Sequence, residues 1–196
     1  MSLVSKKAVV LLLAAAASLG ALNVQAAKAT AASNSGSVQK ISMLGGKFTF
    51  TLPKGFTVTQ LPAGDAAAGT AGATGTMYTN TETKTVVIAA ENTIPGGVTV
   101  KDNDGTFLDN ASGDFIAQQA KALPDFKLVN EKAFSKKSPG LGLRQIDSTA
   151  TQGGGPTLDT TLLTASGTRM ALVQVVSRAT DKSGHEALVK QILSEK

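Results

Sequence analysis

The chain has 196 residues, a formal net charge of +5 and 42% hydrophobic residues, while charged residues make up only 17%. This composition excludes a wholly disordered chain, and the length is that of one domain with a tail. The chain has no Cys, no Trp, one Tyr and one His, which excludes disulfides, thiol nucleophiles and Cys-ligated or poly-His metal sites, and argues against stacking platforms for single-stranded nucleic acid.

Residues 1–26 have the three parts of a secretory signal peptide. A pair of lysines forms the positive start, an uncharged apolar stretch rich in Ala, Val and Leu follows, and Val24-Gln25-Ala26 places small residues where a peptidase needs them. We therefore expect cleavage between Ala26 and Ala27. Two alternatives are a cut after Ala29 and a retained membrane anchor, because the uncharged run is about long enough to span a bilayer.

Export changes the charge and limits the partners. Loss of Lys6 and Lys7 lowers the net charge from +5 to +3, and no basic run is longer than Lys136-Lys137. We expect no nucleic-acid partner. The mild positive charge suits an anionic membrane surface or an acidic partner, although an ordinary solvated surface has it too. Without Cys the chain cannot carry a lipid on an N-terminal Cys, so we expect a soluble periplasmic protein.

Residues 27–40 predict a flexible leader, and residues 41–196 predict one folded domain. The first clear strand is Lys47–Leu52, where apolar and polar residues alternate until Pro53. A short strand around Phe56 and Val58 follows.

The segment from Pro62 to Thr76 consists almost entirely of Ala, Gly and Thr. Its glycines lack the spacing of a phosphate-binding loop, and no Gly-Lys-Ser or Gly-Lys-Thr closes it. We predict a mobile loop.

The later strands are separated by short runs of Gly, Pro and Ser, which suit antiparallel hairpins and cannot hold a crossover helix. The predicted strands are Met77–Asn80, Thr85–Ala90, Lys127–Phe134, Leu141–Ala150, Leu158–Ala165 and Arg169–Arg178. Val86–Ala90 and Met170–Val176 have no polar face, which is typical of strands covered on both sides. The predicted fold class is therefore α+β, a mostly antiparallel sheet with helices on both faces, or an α/β/α sandwich.

Two helices complete the domain. Ser112 is the predicted cap of the first, which Pro124 ends. Ser183 and Glu186 have the spacing of a capping box at the start of the second. The residues of the second helix that we expect to face the sheet are Leu188, Val189, Ile192 and Leu193.

His185 is the one imidazole, and Ser183 and Asp181 beside it complete the residue types of a hydrolase triad. A triad needs its His between a nucleophile and an acid that distant segments bring together, whereas these three residues share one helix start. We therefore expect a solvated His at the helix start, no catalytic residue and no cofactor.

Four carboxylates in a short loop-like stretch form a weak candidate for a cation site. They are Asp102, Asp104, Asp109 and Asp114. The EF-hand spacing fails because Gly105 comes too early and no Glu closes the loop, so polar loop and helix-start carboxylates are the preferred interpretation.

Charged residues also occur within the predicted strands. Arg144 and Asp147 indicate either an exposed strand face with cross-strand charge pairing or part of a partner-binding face. Arg169 and Arg178 bracket the most apolar strand and mark where it emerges into water.

An ordered series of segments resembles the DcrB family of bacterial envelope proteins. The segments are Leu44–Pro53, Thr85–Ile88, Leu143–Ser148, Met170–Val175 and the terminal helix. The resemblance covers roughly residues 41–195 and depends on the order of the segments, since no single motif is specific.

The resemblance implies a PsbP-like fold, an antiparallel sheet flanked by helices, and an exported, non-enzymatic protein that supports envelope integrity, with a link to phage susceptibility. The family is typically lipid-anchored through an N-terminal Cys, which this chain lacks. We therefore expect a periplasmic protein that acts by binding an envelope protein. The alternative is a small-ligand or cation-binding module that uses a cleft beside the Gly- and Ala-rich loop or the Asp102–Asp114 stretch.

Overall fold

The computed structural model describes residues 36–64, 72–135 and 140–194. The predicted signal peptide and its cleavage site between Ala26 and Ala27 lie outside these residues, and so does most of the predicted leader. The central part of the Gly- and Ala-rich loop, residues 65–71, lies outside them as well. The expectations for these segments stay predictions.

The described residues form nine strands and two α-helices, besides short 3₁₀ turns at Leu44–Gly46 and Pro95–Gly97. In chain order they are β1 (Gln39–Met43), β2 (Phe48–Leu52), β3 (Thr57–Gln60), β4 (Thr74–Asn80), β5 (Thr85–Thr93), α1 (Gly105–Ala122), β6 (Lys127–Ser135), β7 (Gly142–Gln152), β8 (Gly155–Ser166), β9 (Arg169–Arg178) and α2 (Lys182–Ser194).

Seven strands form one antiparallel sheet in the order β3-β4-β5-β9-β8-β7-β6. The sheet consists of two meanders, β3 to β5 and β6 to β9, which join where β5 pairs with β9. The short connections that predicted hairpins do connect neighbouring antiparallel strands, and the mostly antiparallel sheet is confirmed.

The two strands without a polar face lie side by side at the centre of the sheet. Every residue is buried from Thr85 to Ala90 of β5 and from Met170 to Ser177 of β9. A strand with apolar residues on both faces is stable only where both faces are covered, and this explains the central position of the pair.

Successive residues of β5 and β9 alternate between two core clusters, as the pleat of a strand requires. The first cluster contains residues of the β1–β2 hairpin and of α2, and the second contains residues of α1. The members from β5 and β9 are Val87, Ala89, Ala171, Val173 and Val175 in the first cluster, and Val86, Ile88, Ala90, Met170 and Leu172 in the second.

The β1–β2 hairpin supplies the aromatic part of the first cluster. Phe48, Phe50 and Leu52 all point inwards and are fully buried, which confirms the face predicted from their alternation. The sequence did not predict β1, and it placed the start of β4 too late: this strand begins at Thr74, within the segment predicted to be a mobile loop.

Helix α1 begins well before the predicted cap at Ser112. Its N-cap is Asp104, whose side chain accepts a hydrogen bond from the Phe107 amide at 3.0 Å. The first two turns contain several weak helix formers, but Leu108 and Ala111 are buried in the second core cluster. Their packing outweighs the low propensity of these turns.

Helix α2 begins two residues earlier than predicted, at Lys182. Asp181 takes the capping role that we assigned to Ser183, since its carboxylate accepts from the Gly184 amide at 3.1 Å. Leu188, Val189 and Ile192 face the core as predicted. Neither described helix combines the length and the apolar composition needed to cross a membrane.

Candidate functional site

A cleft of about 500 Å³ lies between α2 and the strands β6, β7 and β8. We call it the α2 cleft. Polar side chains of β7 and β8 line one side, and residues of α2 line the other. The residues that line the cleft include Val129, Lys132, Gln145, Asp147, Thr160, His185, Val189, Lys190 and Leu193.

The pleat of β7 explains which side chains reach this cleft. Gln145 and Asp147 are two residues apart, so they point to the same face, and Asp147 lies opposite Thr160 of β8. Arg144 and Ile146 point to the other face, where Ile146 belongs to the second core cluster.

Asp147 is the acidic group within this side of the sheet. Its carboxylate accepts hydrogen bonds from the Thr160 hydroxyl at 2.8 Å and from the Gln145 amide at 2.8 and 3.0 Å. The Asn130 amide adds a longer one at 3.4 Å. Three neutral side chains therefore orient the carboxylate, and all of its donors come from the sheet.

His185 is buried rather than solvated, which corrects our expectation for the helix start. Its Nε2 lies 2.9 Å from the Thr160 hydroxyl, and its Nδ1 lies 3.1 Å from the Ser177 hydroxyl. Because Thr160 donates its hydrogen to Asp147, its oxygen accepts from the imidazole N–H at Nε2. Nδ1 then accepts from Ser177, and this defines the tautomer.

Burial lowers the pKa of His185, and the nearby carboxylates of Asp147, Glu186 and Asp181 oppose that shift only in part. The imidazole is therefore neutral near pH 7. Hydrogen bonds link the buried Ser177 through the imidazole and the Thr160 hydroxyl to Asp147.

The sequence-adjacent triad of Ser183, Asp181 and His185 is not assembled. Asp181 caps α2, and the ring nitrogens of His185 bond Thr160 and Ser177 instead. Ser177 is only 1% exposed, so its hydroxyl cannot meet a substrate from solution. This network holds the Asp147 carboxylate in place.

The four carboxylates considered for a cation site do not converge on a common point, and three of them bind different groups of the protein. Asp102 binds Lys47 at 2.8 Å and accepts from Ser166 at 2.6 Å, and these bonds lower its pKa. Asp104 caps α1, and Asp109 pairs with Arg144. Asp114 lies on α1. Across the described ranges, no group of three His, Cys, Asp or Glu side chains is placed to hold a metal ion.

Arg144 does not lie on an exposed face, which corrects the preferred interpretation of this strand. It is 8% exposed, and its Nε donates to Asp109 at 2.6 Å. Its other nitrogens donate to the backbone oxygens of Leu143 and Gly105, both at 3.1 Å. Arg144 therefore ties α1 to β7 on the face opposite Asp147.

The other two strand arginines also have intramolecular partners. Arg169 pairs with Glu91 at 2.7 Å, and Glu91 in turn accepts from the Leu44 amide. Arg178 donates to carbonyl oxygens of the β7–β8 turn, including that of Gln152 at 2.8 Å. Both arginines are partly exposed, as expected for residues at the ends of β9.

Sequence reasoning missed Asp159, a buried carboxylate next to Thr160 on the opposite face of β8. Burial raises the pKa of Asp159 to about 6, although hydrogen bonds from Thr157 and Gln152 oppose the shift. No pattern within the chain marks this residue, because its burial depends on what covers the strand.

A second cleft, of about 310 Å³, lies between β1 and the strands β3 and β4. It is next to Thr74 and Gly75, at the end of the Gly- and Ala-rich segment where we expected a ligand cleft. Whether it binds a ligand stays a prediction.

No family model matches the chain, and no curated protein matches it. Among solved structures, the chain is similar to cyanobacterial PsbP (CyanoP) from Synechocystis sp. PCC 6803, with a TM-score of 0.56 and 14% identity over 87% of this chain and 96% of that one. A protein of unknown function from Pseudomonas aeruginosa, PA94, gives a TM-score of 0.42 at 14% identity over 82% of this chain and 96% of that one. The first likeness shows that this chain has a PsbP-like fold.

Proposed function

We propose that this protein is an exported, non-catalytic component of the cell envelope that works in the periplasm by binding another protein. The observation that carries the proposal is the α2 cleft and its border. There a half-buried carboxylate and exposed apolar side chains lie on one edge of the sheet.

The border is formed by β6, the edge strand of the sheet. Leu128 and Val129 are 46% and 65% exposed, and Val129 lines the cleft. The register shifts between Leu128 and Asn130, and such a bulge twists an edge away from continuous pairing. We therefore expect the partner to be recognised mainly by side chains in and around the cleft.

The wider assignment rests on the sequence. The signal peptide supports export, and the ordered resemblance supports membership of the DcrB family and a role in envelope integrity. We also infer the α/β/α arrangement, because β5 and β9 alternate between one cluster that includes α2 and another that includes α1.

Photo-crosslinking in living cells tests the proposal. A photoreactive amino acid at Val129 is expected to give a discrete adduct with an envelope protein. The matched control carries the same group at Val98, which is also exposed but lies between β5 and α1. Absence of an adduct at Val129, or equal adducts at both positions, would contradict the proposed contact surface.

A small-ligand module is the second candidate, and the size of the α2 cleft favours it. A volume of about 500 Å³ lies within the range of known small-molecule sites. Calorimetry with envelope lipids and metabolites distinguishes this candidate, since a small ligand gives a heat of binding without any partner protein.

A further inference from the structure

Asp147 has no cationic partner within the described part of the chain. The ion pairs there join Glu91, Asp102, Asp109 and Glu186 to Lys or Arg side chains, and none of them includes Asp147. A carboxylate that is partly withdrawn from water and bonded only to neutral donors still attracts a cation. The open side of this carboxylate is the α2 cleft.

The walls of the cleft suit the stem of a long basic side chain. Val129, Leu158, Val189 and Leu193 line it together with Asp147. The stems of Lys and Arg are apolar and pack along such surfaces while the charged group continues to a polar site. A cation that reaches Asp147 from solution therefore gains apolar contacts along its path.

The charged border of the cleft consists of an ion pair, Lys182–Glu186 at 3.7 Å, and two further lysines. Lys132 and Lys190 are exposed and line the cleft, and neither belongs to an ion pair in the described ranges. They repel a partner that is basic throughout and attract acidic groups. The pattern of charge that complements the cleft is one basic side chain with acidic neighbours.

We propose that the α2 cleft binds an extended segment of the partner protein in which a Lys or Arg inserts towards Asp147 and flanking Asp or Glu residues contact Lys132 and Lys190. This inference rests on the proposed function and specifies the chemistry of the partner. Thr160, Gln145 and Asn130 would hold the carboxylate in position for the incoming cation.

The test is an NMR titration of the ¹⁵N-labelled chain without its predicted signal peptide. The titrant is the peptide acetyl-Glu-Leu-Lys-Leu-Glu-amide. We expect chemical-shift changes centred on Gln145, Asp147, Thr160 and His185, at peptide concentrations up to about 10 mM. The same peptide with acetyl-lysine keeps the stem but loses the charge, and we expect it to bind roughly tenfold more weakly or worse.

Two isosteric variants locate the effect. Asp147→Asn is expected to remove the preference for Lys over acetyl-lysine. Glu82→Gln makes the same charge change on the exposed β4–β5 turn and is expected to leave the preference unchanged. The acetyl-lysine comparison needs no variant, so it remains decisive if Asp147→Asn perturbs the fold.

Equal binding of the two peptides, shifts centred outside the cleft, or no shifts at all would overturn this inference. A specific adduct at Val129 combined with any of these results would leave the proposed function in place. Conversely, lysine-dependent binding without an adduct in cells would support the cleft chemistry and count against the proposed partner.

Discussion

Asp147 and Asp159 lie on neighbouring strands of the same sheet but have opposite surroundings. Asp147 points into the α2 cleft, where Thr160, Gln145 and Asn130 donate to its carboxylate. Asp159 points to the other face, is 4% exposed, and has a pKa raised to about 6 by burial. The same residue type is therefore available to a ligand on one face and enclosed on the other.

The difference extends to the other polar groups of the two faces. On the face opposite the cleft, Arg144 pairs with Asp109, and the buried Ser112 donates to Glu131 at 2.5 Å. These groups satisfy one another and connect α1 to the sheet. On the cleft face the hydrogen-bond network ends at Asp147. Polar residues thus stabilise the fold on one face and form the candidate site on the other.

The largest expected effect on stability comes from removing a buried polar side chain on the face opposite the cleft. Arg144→Ala removes the donors to Asp109, Leu143 and Gly105. Asp109 is 66% exposed, so the cost comes mainly from the two backbone oxygens that lose a donor and from lost packing, and we expect a loss of about 3 kcal/mol in the free energy of unfolding. Urea denaturation followed by circular dichroism measures it. Lys47→Ala removes a cation whose side chain is 42% exposed, against 10% for Arg144, and should cost no more than about 1 kcal/mol. Equal losses for the two variants would show that the buried Arg144 contributes no more to stability than the more exposed Lys47.

Asp159→Asn should stabilise the protein above pH 6. The raised pKa means that the folded state holds a proton which the unfolded state releases, so the wild type loses stability as the pH rises from about 4 to about 6. The loss is at most about 3 kcal/mol and persists at higher pH. Denaturation at pH 8 should show the gain in the variant, and denaturation below pH 4 should show little. A destabilised variant at pH 8 would mean that the ionised carboxylate is well accommodated.

His185 should titrate below its ordinary pKa of about 6.5, because burial disfavours the imidazolium. Below that pH the unfolded state binds more protons, so this group lowers the stability of the fold as the solution is acidified. Asp147→Asn should lower the pKa of His185 further, since the negative charge of Asp147 favours the imidazolium. An NMR titration of the imidazole signals measures both shifts, with Asp159→Asn as the control that leaves the pKa unchanged. An unchanged pKa of His185 in Asp147→Asn would show that the charge of Asp147 does not act on the imidazole.

The smallest effect is expected for Asp147→Asn on stability. Asn keeps one acceptor oxygen for Thr160, and the site is open to water, so we expect a change below about 1 kcal/mol in the free energy of unfolding. Urea denaturation at pH 7 provides the measurement. A loss as large as that of Arg144→Ala would mean that Asp147 serves the fold rather than a partner.

Local patterns in the chain predicted most of the strands. The alternation in β2 assigned Phe48 and Phe50 to the core, and the segments of β5 and β9 without a polar face, Val86–Ala90 and Met170–Val176, predicted coverage on both faces. Period-two alternation and turn-forming residues are local properties, so a single sequence displays them. The start of α1 was missed because packing of Leu108 and Ala111 outweighs weak local propensity.

The candidate site was only partly visible in the sequence. The sequence marked Asp147 as a polar residue within a strand. It grouped Asp147 with Arg144 on one strand face, whereas Arg144 points to the opposite face of the sheet. His185 was expected in solvent, but its side chain is buried between α2 and the sheet, where it bonds Thr160 and Ser177 from two different strands. Thr160 is 25 residues and Ser177 eight residues from His185 in the chain, and no local spacing indicates that the three side chains meet.

The sequence by itself determined most of the strands, their antiparallel order within each meander and the apolar character of the central pair, because these follow from interactions between near neighbours. Tertiary structure decided which polar residues are enclosed and which remain open. The burial of Arg144, Asp159 and His185 and the partial exposure of Asp147 depend on which segment covers each face of the sheet. Contacts between distant segments set that coverage, and through it the charge state and accessibility of each group.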